Sequence, residues 1–234
     1  MTRRVYVSSV GTALLVLFFA LPANAQSEEQ FWPEIAVYIK VNQNMRLFFQ
    51  AVGDRENSEH TGADLGASID FYLKPLFRLQ RFIVFQLDES RSRPLLLRAG
   101  YHYIPSVDSP TEQRIVLEAT PRFPLKSGVV VSDRNRADLR FIEGEFSWRY
   151  RNRLTIEREF AINSYNFWSY LRLEGYYDSN YNKWSTTATS FGFIFPIWKP
   201  SELEIYYEHK NQTGTSPNQQ VNAVGLTLNL YLGH

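Results

Sequence analysis

Phe146, Ser147, Trp148, Arg149, Tyr150, Arg151, Asn152, Arg153, Leu154, Thr155, Ile156 and Glu157 form the stretch on which the fold turns. Side chains of a β-strand point alternately to opposite faces. Phe146, Trp148, Tyr150, Leu154 and Ile156 therefore share one face, and Arg149, Arg151, Arg153, Thr155 and Glu157 the other. A strand with rings and aliphatics on one side and a row of guanidiniums on the other must divide an apolar medium from a polar one.

The same period of two recurs along the chain. In 34–41, Ile35, Val37, Ile39 and Val41 oppose Glu34, Tyr38 and Lys40. In 64–73, Leu65, Ala67, Ile69, Phe71 and Leu73 oppose Asp64, Ser68 and Asp70. Strands are expected likewise at 95–103, 168–178, 201–208 and 221–232, with noisier ones at 45–52, 79–87, 111–120, 126–141 and 185–196. Polar and Pro/Gly-bearing clusters at 53–63, 88–94, 105–110, 178–183 and 210–219 read as links. The mature chain shows no helical-period stretch, no repeat of fixed length and no domain boundary.

The N-terminus reads differently. Arg3 and Arg4 precede an uncharged run from Val10 to Leu21, which Pro22 breaks before Ala23-Asn24-Ala25. A positive start, a short apolar centre and a small-residue site make a secretory signal peptide. Cleavage is expected after Ala25, leaving 209 of 234 residues as one barrel domain, 26–234. The apolar run is too short to span a bilayer as a helix, and no later run is long enough.

Composition excludes several classes. Formal charge is +1, so no basic excess marks a nucleic-acid binder. No cysteine is present, which removes disulfides, thiolate metal sites and cysteine nucleophiles. Aromatic content is high, with 17 Phe, 14 Tyr and 5 Trp. Many sit near strand ends: Phe31 and Trp32, Tyr101 and Tyr103, Tyr165, Phe167 and Trp168, Tyr176, Tyr177, Tyr181 and Trp184, and Phe195 and Trp198. Such rings suit the two interfaces of a membrane barrel.

Alternation alone leaves inside and outside open. A soluble barrel hides its apolar face, and a membrane barrel turns it to lipid. The charged face, the aromatic belts and strands of nine residues or more favour lipid. The expected fold is all-β, a single antiparallel transmembrane β-barrel. At ~17 residues per strand with its turn, the mature length allows about 12 strands, with 10 as the runner-up even number. The short link at 42–44 and the long one at 53–63 stand in the reverse of the expected order.

Three passages carry a resemblance. They are Trp148 to Arg158, Val131 to Leu139, and Tyr206 to Gly214 continuing through Asn218 to Asn222. Together they resemble the domain of unknown function 2490 family, whose members are similar to outer-membrane barrels. The resemblance covers nearly all of the mature chain. It implies fold and location, and it supplies no catalytic residues. The last strand also resembles the outer-membrane assembly signal at Gly225, Leu228 and Leu230, with Ala223 where a polar residue is usual and His234 where an aromatic is usual.

The candidate site is therefore the lumen. Arg149, Arg151, Arg153, Arg172, Glu174, Glu202, Glu204, Glu208 and His102 all have inward parity. They make either a charged constriction or a lumen filled by paired charges. Glu174, with Glu202 and Glu204 beyond it, is the expected acceptor set for the arginine row. For catalysis the sequence offers little. None of His60, His102, His209 and His234 has a serine two residues after it, and Ser58, two before His60, lies in a polar cluster. No nucleophile elbow, zinc-helix or dinucleotide motif occurs. The acidic cluster Asp54, Glu56, Glu59, His60 and Asp64 lacks the calcium-loop pattern.

The expectation is a non-enzymatic outer-membrane barrel of a Gram-negative bacterium, structural or a small channel. It needs no cofactor or metal and contacts outer-membrane lipid and, during biogenesis, the barrel-assembly machinery. An outer-membrane enzyme acting on lipid or peptide, and a soluble periplasmic barrel binding an apolar ligand, are the alternatives.

Overall fold

The structure is a computed structural model that describes residues 26–56, 59–73, 91, 93–107, 109–125, 128–163, 165–214 and 217–233. The leader 1–25, the strand expected at 79–87, Ser58 and His234 lie outside the described residues.

Eleven strands form one closed barrel. They are β1 (Gln26–Asn42), β2 (Met45–Glu56), β3 (Glu59–Tyr72), β4 (Leu95–Ile104), β5 (Glu112–Pro124), β6 (Val129–Ile142), β7 (Glu145–Ile162), β8 (Tyr165–Asp178), β9 (Lys183–Trp198), β10 (Ser201–Gln212) and β11 (Gln219–Leu232). The fold is all-β, as the alternation requires. Among the described residues the count falls between the two even numbers expected, with 79–87 outside them. An odd count has one consequence. Consecutive strands pair antiparallel, so the first and last run the same way, and β1 closes on β11 in parallel from Gln26↔Gln219 to Ile39↔Leu232. The barrel is thus mixed rather than purely antiparallel. The chain enters at one mouth (the N-terminal mouth) and leaves at the other (the C-terminal mouth).

Several turns follow from local chemistry. Glu143 and Gly144 both have positive φ, 52° and 87°, and form a two-residue hairpin loop between β6 and β7. Such loops match the twist of the flanking strands. The cluster 53–63 is not a link, as the sequence suggested. The β2–β3 ladder continues through Gly53↔Ala63, Asp54↔Gly62 and Glu56↔Glu59, leaving only 57–58 between the strands. Polar residues carry no apolar alternation, yet the backbone ladder does not need one. The reversed order of short and long links disappears with this correction.

Parity settles which face is inside. Ile35, Leu65, Leu97, Leu117, Ile156, Leu173 and Leu226 point outward and are exposed. Asp70, Arg98, Glu118, Arg136, Asp138, Glu174, Asp178 and Glu202 point inward. The interior is polar and ionic, and the exterior is apolar. Three of the aromatics assigned to the belts correct to the interior, Trp32 among them, since it has the parity of buried Ala36 and lies under the Lys210 ammonium at 4.5 Å. Trp168 and Tyr176 are 3% and 7% exposed, while their neighbours Phe167 and Tyr177 take the outer face. Adjacent strand residues cannot share a face.

The apolar exterior carries a polar group at mid-height on β6 and β7. The Asn152 amide donates to Asp133 at 2.6 Å, the Asn135 amide donates to Asp133, and the Tyr150 hydroxyl donates to Asn135. These groups satisfy one another.

Candidate functional site

Strand alternation delivers acidic and basic side chains into the lumen, and strand register decides which of them meet. Glu174 on β8 is paired with Arg153 on β7. Its carboxylate accepts from Arg153 Nε at 2.7 Å, from Arg151 Nε at 2.9 Å and from Arg134 Nη2 at 2.6 Å. Three guanidiniums thus converge on one carboxylate whose side chain is 2% exposed. Charge-assisted bonds of this kind are short and strong. Arg151 also donates to the Tyr176 hydroxyl at 2.9 Å and lies over that ring at 4.3 Å.

The rest of the expected arginine row is organised differently from the sequence reading. Arg149 donates to Asp178 at 3.0 Å and not to a glutamate. Glu204 accepts from Arg172 at 2.9 Å and from the Tyr170 hydroxyl. Glu202, 1% exposed, accepts from Arg91 Nη1 at 3.2 Å and from the Tyr231 hydroxyl at 3.0 Å. Neither Glu202 nor Glu204 serves the row 149–153. Strand separation is the reason, since Glu202 and Glu204 lie on β10, three strands from β7. Glu208 accepts from Ser190 at 2.8 Å, with the Lys210 ammonium 3.6 Å away.

Several lumen groups escaped the sequence reading. Arg140 binds Glu112 through Nε and Nη2 at 2.8 and 2.7 Å, and Asp178 through Nη1 at 3.1 Å. Arg136 donates to Asp138 at 2.5 Å. Asp70 accepts from Arg46 at 2.7 Å and from Arg98 at 2.6 and 2.9 Å. Above these, Arg98 lies 3.9 Å from the Phe48 ring centre and Arg46 lies 4.2 Å from that of Tyr38. Residues 134, 136, 138 and 140 sit at even positions of 126–141, so parity alone could have assigned them. Arg91 could not have been found that way. It belongs to the 73–94 link and reaches into the barrel from the C-terminal mouth, over Trp168 at 5.2 Å.

The histidines separate. His102 is 1% exposed in the lumen, with Nδ1 2.6 Å from Asp64 Oδ1. Its ring needs Gly66 opposite, where a Cβ would lie 2.8 Å from the imidazole. Asp64 therefore faces the lumen as the partner of His102 rather than belonging to an acidic link. His209 faces outward, with Nδ1 2.9 Å from Asn222 Oδ1. The Asn222 amide donates in turn to Ser27 at 3.2 Å. Among the described residues the hydrogen-bond partner of the His209 imidazole is Asn222, not a serine.

Comparison with known proteins adds a family and little else. No curated protein and no solved structure matches the chain. The family model described as Protein of unknown function (DUF2490) matches residues 29–221, from β1 to the first residues of β11 and so through every charged wall of the lumen. With most of the barrel inside that match, the chain belongs to the DUF2490 family.

Proposed function

We propose that this protein is a non-enzymatic barrel of a bacterial outer membrane, exported by cleavage after Ala25 and closed internally by its own ion pairs. The observation that carries the reading is the inversion of its faces. Leu65, Leu117, Ile156 and Leu173 cover the outside while Glu174, Asp70, Asp138 and their arginines fill the inside. In water this arrangement would expose an apolar surface around the whole wall, which soluble monomers avoid. In a bilayer it satisfies every backbone group by barrel closure and puts the apolar band against lipid. Strands of 10 to 18 residues are long enough to cross at a tilt.

The filled lumen favours a structural barrel over a channel. Carboxylates at several heights each hold two or three guanidiniums across strands, and Arg91 reaches in beneath one mouth. Cell fractionation with a gel-mobility assay tests the placement. The protein should partition with the outer membrane, begin at Gln26 and migrate faster unheated than boiled. Recovery in the soluble periplasmic fraction, or a mature chain that still begins at Met1, would overturn it.

A further inference from the structure

The half of the lumen nearest the C-terminal mouth contains a cavity of about 210 Å³. At roughly 30 Å³ per water it has room for about seven waters, or one compact polyatomic ion. Among the described residues its wall carries seven arginines against three carboxylates, Glu118, Glu157 and Glu204. The arginines come from β2, β4, β5, β6, β7 and β8 and from the 73–94 link, so they converge from several sides.

The ion pairs do not cancel this excess locally. Arg46 and Arg98 share the single carboxylate of Asp70. Arg134 and Arg153 share Glu174 with Arg151. With Arg151 and the carboxylates of Asp70, Glu174 and Glu202 included, eight guanidiniums stand against six carboxylates, a surplus of two positive charges around the cavity. Among the described residues two buried atoms of this wall have no hydrogen-bond partner, the Nε of Arg134 and one carboxylate oxygen of Glu118. A buried donor without an acceptor is costly, and a charged one more so. Hydroxyls of Ser132 and Thr155 also line the wall, while those of Thr120 and Tyr231 donate to Glu118 and Glu202.

We propose that this cavity is a binding site for a compact multivalent oxyanion of the phosphate or pyrophosphate class. Guanidiniums suit such a guest because their planar forks match paired oxygens, and several at once match a tetrahedral group. The volume admits a group of the size of phosphate or pyrophosphate. The site does not depend on where the barrel resides, and a filled lumen and a bound anion are compatible.

Calorimetry and thermal melting of the refolded full-length mature barrel in detergent test the proposal, with pyrophosphate and inorganic phosphate as probes. Sodium chloride at matched ionic strength is the control. Saturable binding with a melting temperature that climbs with probe concentration is expected, and the control should give neither. Two variants bracket the site. Arg134→Gln should weaken pyrophosphate binding about ten-fold or more, the worth of one charge-assisted hydrogen bond. Glu118→Gln removes a negative charge from the wall and should tighten it several-fold. Should Arg134→Gln fail to refold, Glu118→Gln carries the test alone. No saturable binding, an equal response to chloride, or an affinity unchanged in the refolded variants would overturn the site. Fractionation of the protein as soluble would sink the membrane reading and leave these titrations untouched.

Discussion

Glu174 is the residue on which most of the arginine row depends, and the two sides of that contact are not equivalent. Removing Arg151 leaves Glu174 with Arg134 and Arg153 still bonded. Removing Glu174 leaves three inward cations without their shared acceptor. Breaking a buried pair costs about 3–5 kcal/mol, because the remaining charge is stranded. One hydrogen bond among several to a charged group is worth about 1.5–3 kcal/mol. Glu174→Ala should therefore lower the unfolding free energy by more than Arg151→Ala, and denaturant titration of the two variants reads the difference. Equal losses would mean that the guanidiniums are hydrated rather than dependent on this carboxylate. A second residue-scale outcome concerns Gly225, over which the ring of Tyr206 lies. A Cβ there would come within 2.0 Å of the ring. Gly225→Val should displace Tyr206 and slow or prevent refolding, while Gly225→Val with Tyr206→Ala should recover part of the yield.

Among the strands, the parallel closure of β1 on β11 is the most testable feature, and the chain's lack of cysteine makes the test clean. Val37 and Leu230 are register partners across the seam. Neighbouring strands lie about 4.8 Å apart, within the Cα spacing a disulfide accepts. Val37→Cys with Leu230→Cys should oxidise to a species of altered gel mobility. Val37→Cys with Leu226→Cys, four residues out of register, should not; the reverse result would exclude this closure. The seam also marks how far the sequence could be read. Alternation in 34–41, 64–73 and 146–157 located strands and faces, because period two is a property of one strand by itself. It could not show that Arg149 meets Asp178, that Arg91 enters the lumen or that β1 joins β11, because those facts depend on register between strands. The polar ends at 53–56 and 59–63 were misread for a related reason. They pair through backbone groups, which leave no trace in side-chain pattern.

At the scale of the molecule, the proposed membrane placement and the filled lumen make separate demands. The placement requires the outer face to tolerate no charge near its middle. Leu173 is 48% exposed on the outer face of β8. Leu173→Arg should cost about 2–4 kcal/mol of stability in lipid if it sits near the bilayer midplane. Leu228→Arg, on the outer face of β11, tests the wall three strands away. Both variants folding normally into vesicles would show that this face does not meet lipid.

The filled lumen requires that the barrel conduct little or nothing. A continuous water path would have to pass the Glu174 cluster, the Arg140, Glu112 and Asp178 set near the N-terminal mouth, and the Arg91 and Glu202 pair near the other. Each is a direct contact of 3.2 Å or less. An open pore keeps its charges hydrated, and hydrated pairs contribute only about 0–1 kcal/mol. The two arrangements therefore differ in two linked measurements. A filled lumen gives no unitary conductance in planar bilayers, and Glu174→Ala gives a strong loss of stability. An open pore gives a conductance whose ion selectivity shifts toward cations in Arg151→Ala, and only small stability losses in either variant. The convergence of three guanidiniums on one carboxylate in a barrel of eleven strands makes the first pair of outcomes the expected one, and a selective current altered by Arg151→Ala would defeat it.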